Sequence, residues 1–402
     1  MKRTRNTSRG RMARDAERMV ALAMRLNASG SQLEDRFWER ELHVLLTRVL
    51  RAGNDSAIET ALDHLFTTGG MAYEVLVDQS EAMAESQVMT HADADYDVML
   101  VAAPILAWTR YAIPSGALRA ADADILRVHL SAHVLAADTR VVLAPYLFSL
   151  EQIPHSFAEA FALTAKFGAA ALAGGAPRID LADAQETAPM LADSRFLLAC
   201  VAVPRGKPIF RWQEHADTLA EHVGRAQCHA NWQTQARPNL APLLPSCGFE
   251  LLLPDAFYAS FHDSDRLIRP YTIKASSAFL EGALKIETSQ LRAFVAGVGE
   301  EGIDEYRIGF AARGDDAIVH GVAWPLYGRE DASAGSGDGV LPIDEIVTLL
   351  KETGIADFNV LGGKHFPEYC EDCGAPLFPD ANGDFVHAEM PAGDDGATAH
   401  FH

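Results

Sequence analysis

The sequence predicts an α/β fold: internally repeated strand-helix units preceded by a small helical N-terminal region. Three observations predict it. The apolar run Val98–Pro104 (VMLVAAP) returns as Leu197–Pro204 (LLACVAVP). Leu143-Ala144-Pro145-Tyr146-Leu147 answers to Leu240-Ala241-Pro242-Leu243-Leu244, and IPHSFAEAF from Ile153 answers to LPDAFYASF from Leu253, so the landmarks keep their order at offsets of 100, 97 and 100 residues. Short β-branched runs alternate with helix-length segments between them, the pattern of α/β units that return the chain through a helix. A shorter echo starts at Leu291 (LRAFVAGVG) and ends in DCGAPLFPDA from Asp372, which parallels SCGFELLLPDA from Ser246.

Residues 1–90 read as helical. Ser31 with Glu34 makes a capping box, Leu33, Phe37, Leu42, Leu45 and Val49 recur at helical spacing, and Gly53 stands where a helix stops. Two further helices are predicted over 55–66 and 71–83. Repeat copy one, 91–192, reads as strand 98–106, an extended piece to Ile113, a helix over 117–136, strand 140–148 and a helix over 155–172. Copy two, 193–287, reads as strand 196–203, extended 208–212, a helix from His215 to about Asn231, extended 249–253, then less regular sequence to Leu284. A partial third copy, 288–390, offers strands at 291–298, 306–312 and 317–323, a helix over 342–353, strand 358–361 and a Cys-x-x-Cys knuckle. The tail 391–402 is expected to be disordered. Sister copies should cover one another's apolar faces, which would put clefts, and hence ligands, at the seams between them.

Composition narrows the function classes. The 402 residues are 49% hydrophobic and 22% charged, ordinary values for a soluble globular protein, and no run is long enough for a membrane span. A net charge of −21 sets the body against nucleic acid and anionic lipid. Only the arm with Lys2, Arg3, Arg5, Arg9, Arg11 and Arg14 runs the other way. Arg18 and Arg25 interrupt the apolar stretch after it, so it lacks a secretory core, and a cytoplasmic location is expected. Five cysteines without an export signal point to reduced thiols or a metal site.

The sharpest motif is Cys370-Glu371-Asp372-Cys373-Gly374. Two thiols with two residues between them and a glycine after them resemble the knuckle of a zinc ribbon, because the tight turn aims both at one ion. No second pair exists, so the tetrahedron must close with histidine, and His365 and His387 are the nearest on either side. The competing reading takes Cys373-Gly374 as the counterpart of Cys247-Gly248, with Leu244 in the place of Cys370, and hence as an inherited core or redox-active thiol.

Other constellations favour structural roles. His129 and His133 share a predicted helical face with Ile125, and His215, His222 and His229 recur every seven residues, both as packing stripes. Asp93, Asp95 and Asp97 alternate on one side of an extended segment, but they precede their strand, the wrong end for an open α/β site. Gly297-Val298-Gly299-Glu300-Glu301-Gly302 has dinucleotide-binding spacing, yet a strand follows it and two glutamates would face the phosphates, so it reads as a turn. There is no Gly-Lys-Ser/Thr loop, Gly-x-Ser-x-Gly elbow or His-Glu-x-x-His.

The helical start, the duplicated body and the ending YCEDCGAPLFPDANGDFVHAEMP together resemble an uncharacterised bacterial domain-of-unknown-function family typical of beta-proteobacteria. That resemblance implies no activity or catalytic residue. The expected function is a cytoplasmic, non-catalytic binding or regulatory protein with a zinc site, its ligand and partners unnamed. The alternative is a hydrolase or transferase with its site in a cleft between the copies.

Overall fold

Four helices open the chain: α1 (Arg14–Asn27), α2 (Gln32–Arg51), α3 (Asp55–Thr68) and α4 (Ala72–Glu85). The computed structural model describes residues 12–68, 70–177, 179, 187, 190–215, 222–300, 302–327, 330 and 341–390. The arm before Met12, the tail from Pro391 and most of 178–189 and 328–340 lie outside these. Helix α2 starts as its sequence requires: Ser31 Oγ accepts from Glu34 N at 3.3 Å, and the Glu34 carboxylate accepts from Gly30 N at 3.4 Å. Leu42, Leu45 and Val49 are buried among the four helices, whereas Leu33 and Phe37 reach past the bundle and are 78% and 44% exposed.

A large sheet follows, built from β1 (Ser86–His91), β2 (Ala94–Trp108), β3 (Gly116–Ala117), helix α5 (Ala120–His133), β4 (Arg140–Leu143), β5 (Tyr146–Ser149) and helix α6 (Phe157–Ala173). Its second half adds β6 (Ala192–Pro204), α7 (Arg225–Leu240), β7 (Gly248–Leu251), β8 (Asp255–Ala256) and α8 (Phe257–Leu284). Strands β2 and β6 form its centre, antiparallel, from Tyr96↔Pro204 to Trp108↔Ala192. Side chains alternate across a strand. Val101, Ile105, Leu197 and Val201 therefore join a core under α5 and α7, while Leu100, Ala102, Phe196 and Leu198 join another under α6 and α8. Both faces are covered, so these runs read as continuously apolar. Small residues keep the layers close: a Cβ on Gly168 of α6 would stand 2.5 Å from Val98 Cγ1.

Helix α8 is the main departure from the sequence reading, which left residues after Leu253 irregular. Pro270 lies inside it and should break it. The carbonyl of Arg266, four residues earlier and deprived of its amide donor, instead accepts from Arg269 Nε at 3.1 Å. The helix thus runs for 28 residues, about 42 Å. Its first half packs on β2 and β6; its second packs Ile273 and Leu280 on another sheet. That sheet comprises β9 (Leu291–Val298), β10 (Glu305–Ala312), β11 (His320–Pro325) and, after α9 (Pro342–Glu352), β12 (Asp357–His365), in the order β11-β10-β9-β12 with β12 parallel to β9. A two-stranded ribbon, β13 (Phe378–Pro379) and β14 (Phe385–Val386), ends the described chain.

The fold is mixed α/β with a helical start, and the large sheet is antiparallel. The two echoing runs are hydrogen-bonded neighbours, so the seam expected to open as a cleft is closed by pairing along the whole of β2 from Tyr96 onward. Each half lends short strands to the other: β4 and β5 pair with β6, and β7 and β8 with β2. The third stretch has a different order, since β9, β10 and β11 form a meander before the helix. The helix predicted from His215 to about Asn231 instead runs Arg225–Leu240, and residues 216–221 lie outside the described part.

Two carboxylates of the bundle cap the helices on the sheet. Asp55 Oδ1 accepts from Ala158 N at 2.9 Å in the first turn of α6, and Glu85 Oε2 accepts from Tyr258 N at 2.8 Å in the first turn of α8. Burial, reinforced by Glu81 and Asp255 and opposed by the Tyr258 N–H and His262, pushes Glu85 up to about 7. The folded state therefore favours protonated Glu85. Its contribution is fully present below the ordinary carboxyl range near 4.5 and is lost as pH rises through about 7. Glu85→Gln keeps an oxygen for Tyr258 N. It is expected to be more stable than the parent at pH 8 by roughly 1–3 kcal/mol and to gain nothing at pH 4.5, measured by urea unfolding. Identical pH slopes in the two proteins would refute this.

Candidate metal centre

The site begins with the chain leaving β12. Tyr369 and Pro376 form an antiparallel bridge, Cys370 N donates to Ala375 O at 2.8 Å, and Gly374 N donates to Cys370 O at 2.9 Å. Gly374 has φ +75°, a conformation that costs a side-chain-bearing residue but not glycine. The turn aims the backbone N–H groups of Asp372 and Cys373 at the Cys370 sulfur, which holds that thiol below its ordinary range. A thiolate is what a metal requires.

The ribbon then folds back. Asp380 Oδ1 accepts from Asn382 N at 2.8 Å and Asp384 N at 2.9 Å, and Gly383 takes φ +86°, so β14 returns beside β13. This brings His387 to the knuckle, with Nε2 3.3 Å from Cys373 Sγ. The ligand atoms of Cys370, Cys373 and His387 all lie within 4.8 Å of one another, close enough to bind one metal ion. Among the described residues this is the one such cluster of three. Tetrahedral zinc with Zn–S of about 2.3 Å and Zn–N of about 2.0 Å separates its ligands by roughly 3.5 Å. Glu389 Oε1 stands 3.7 Å from His387 Nδ1, on the side away from the thiol, where an acceptor orients a ligating imidazole.

His365 lies outside the cluster of three. It ends β12, its ring 5.3 Å from that of Phe385, and its Nε2 is shielded from solvent with no hydrogen-bond partner. His387 Nδ1 is likewise shielded and without a hydrogen bond. The bare Nε2 of His365 suits a site built for an ion. Gly374 and Gly248 have different tasks. A Cβ on Gly248 would meet the Trp108 indole at 2.4 Å, whereas Gly374 has open space and a left-handed turn.

The other candidates separate. His129 and His133 stack on α5 at 5.9 Å, and burial, His129 and Arg211 lower His133. His229 reaches Leu251 O at 2.8 Å, but His215 and His222 precede α7, so the seven-residue stripe never forms. Asp93 takes φ +62° in the β1–β2 turn, Asp95 accepts from Thr90 Oγ1 at 2.8 Å, and Asp97 accepts from Gly206 N at 2.7 Å. Gly299 lies in the turn between β9 and β10, its N donating to His365 O at 2.9 Å. All five cysteines are free thiols, and burial pushes Cys200 up to about 12, which leaves it inert.

Residues that position the ribbon escaped the sequence reading. Arg307 is fully buried in β10; its Nη1 donates to Glu368 O at 2.5 Å and Leu377 O at 2.9 Å, at the two legs of the knuckle, and Nε donates to Glu305 at 2.7 Å. Gly309 and Gly321 face each other across β10 and β11. Pro379 O and the Phe378 ring fill the space their side chains would take. A charged residue inside YRIGF and two glycines in paired strands were the available signals.

A family description, protein of unknown function (DUF2863), matches residues 4–401, and the chain belongs to that family. No curated protein and no solved structure matches the chain. Among the described residues no helix is long and apolar enough to cross a membrane.

A Cβ on Gly321 would lie 2.2 Å from Phe378. Gly321→Ala is therefore expected to lower stability by roughly 1–3 kcal/mol. Gly362→Ala, with open space around it, should stay within about 0.5 kcal/mol. Chemical denaturation checks both, and equal midpoints would show that the ribbon does not dock through this slot.

Proposed function

We propose that this member of the DUF2863 family is a non-catalytic binding or regulatory protein whose C-terminal ribbon is closed by a structural zinc ion. Cys370, Cys373 and His387 hold the ion, and His365 completes the set by turning its imidazole from Phe385. The observation that carries this is the convergence of two thiols and an imidazole on one point from chain segments 14 to 17 residues apart. The orphaned Nε2 of His365 supports the fourth ligand. Zinc would supply a cross-link and no redox chemistry.

Behind the ribbon we read a duplicated strand-helix module. The reciprocal loan of short strands to β2 and β6, and the paired positions of α5 with α7, support it. Five free thiols fit a reducing compartment such as the cytoplasm. The charge of −21 supports a partner other than nucleic acid.

Protein purified without metal supplements is expected to carry about one zinc per chain by mass spectrometry. Cys370→Ser and Cys373→Ser should each lose most of it. X-ray absorption should show two sulfur neighbours and the outer-shell scattering of two imidazole rings. Scattering from one imidazole would remove His365 from the set, and substoichiometric metal in freshly prepared protein would end the proposal.

A further inference from the structure

The second half of α8, strand β11 and the C-terminal ribbon enclose a cavity of about 420 Å³, within the range of sites that hold small organic molecules. Its walls are mainly apolar: Phe279 from α8, Val322 from β11, Phe378 and Met390 from the ribbon, and Leu191 beside the start of β6. One buried polar pair breaks them, Ser276 Oγ and His320 Nε2, 2.9 Å apart. One turn earlier on α8, the Thr272 hydroxyl donates to Arg269 O at 2.6 Å, so it offers the cavity lone pairs only.

The charge of the lining selects the ligand. Among the described residues that line it, Glu389 is the only charged side chain. A carboxylate or phosphate would meet Glu389, inside a chain of net charge −21, and among the described side chains only the Ser276–His320 pair, already hydrogen-bonded to each other, to donate to it. An organic cation would leave water for one carboxylate that is itself 80% exposed. Two aromatic rings and two methionines (Met190 and Met390) suit a flat, polarisable body.

We propose that this cavity binds an uncharged, mainly apolar molecule of one or two fused rings that carries a single hydroxyl or carbonyl. The polar group sits on the Ser276–His320 pair and the rings lie between Phe279 and Phe378. This assignment rests on reading the protein as a binder and names the ligand class.

The test uses the full chain, with zinc content measured on the same sample, and titrates 2-naphthol at pH 7 by its fluorescence. Saturable binding with one site per chain is expected. Naphthalene, which lacks the hydroxyl, and 2-naphthoate, which is charged, should each bind about tenfold more weakly or worse. Ala323→Phe, which fills the cavity from β11, should weaken 2-naphthol by at least about tenfold. Near-ultraviolet circular dichroism would check that this variant keeps its fold. Absent saturation, 2-naphthoate binding as tightly as 2-naphthol, or affinity unchanged in a folded Ala323→Phe would each overturn the assignment. Any of these with zinc at full stoichiometry leaves the zinc reading standing, while saturable binding without zinc would sustain the cavity and end the zinc proposal.

Discussion

Everything in the structure depends on the pairing of β2 with β6. Because these strands are buried on both faces, every side chain from Val98 to Ala107, apart from part-buried Met99, is hidden, and so is every one from Ala192 to Val203. Alternate residues feed opposite cores, so α5 with α7 and α6 with α8 must both be seated before the pair is stable. Two of the four cover helices, α6 and α8, start under a constraint from the bundle. The bundle supplies the carboxylates that cap α6 and α8, and α6 gives Phe161 to the bundle core while placing Phe167 and Ala171 under the sheet. Bundle and sheet therefore fold against each other and not merely side by side.

Helix α8 carries this order into the second sheet, and Arg269 is the residue that lets it. Its Nε satisfies the carbonyl that Pro270 orphans, and its Nη1 donates to Pro325 O at 2.7 Å and to Glu330 at 2.7 Å. The guanidinium also lies 5.1 Å from the Trp324 ring centroid. One side chain thus mends the helix and grips the end of β11. The second half of α8 packs on that strand, with Ser276 Oγ 2.9 Å from His320 Nε2, and the ribbon supplies Phe378 and Met390 to the cavity they line together.

What the sequence disclosed follows from how local each signal is. Strands β9, β10 and β11, helix α9 and strand β12 were legible because each apolar run is bounded by Gly, Asp or Pro. Helix α8 was not, because Pro270 ends a helix in any local reading and the repair by Arg269 is a tertiary fact. The histidine stripe at 215, 222 and 229 mimicked a helical face and pulled the predicted α7 about ten residues too early. The thiol pair was legible because a knuckle is made by four consecutive residues. Both histidines were legible as the nearest on either side, His365 five residues before Cys370 and His387 fourteen after Cys373, but it took the Asp380–Asp384 turn to bring His387 back to Cys373.

The ribbon shows why a cross-link belongs where the ligands converge. Its own ladder is two residue pairs, Phe378↔Val386 and Pro379↔Phe385, plus the bridge Tyr369↔Pro376, far less than a free hairpin needs. Arg307 and the Gly309–Gly321 slot fix its base to the sheet, and Glu389 N ties its end to Ile318 O at 2.9 Å. None of these contacts reaches the tip, where Cys373 is exposed and His387 touches it at 3.3 Å. An ion at that point would join the knuckle to the returning strand where the β13–β14 ladder ends, and would add to the burial of Phe378 among Phe294, Ala311 and Ile318 in holding the cavity wall that Phe378 and Met390 form.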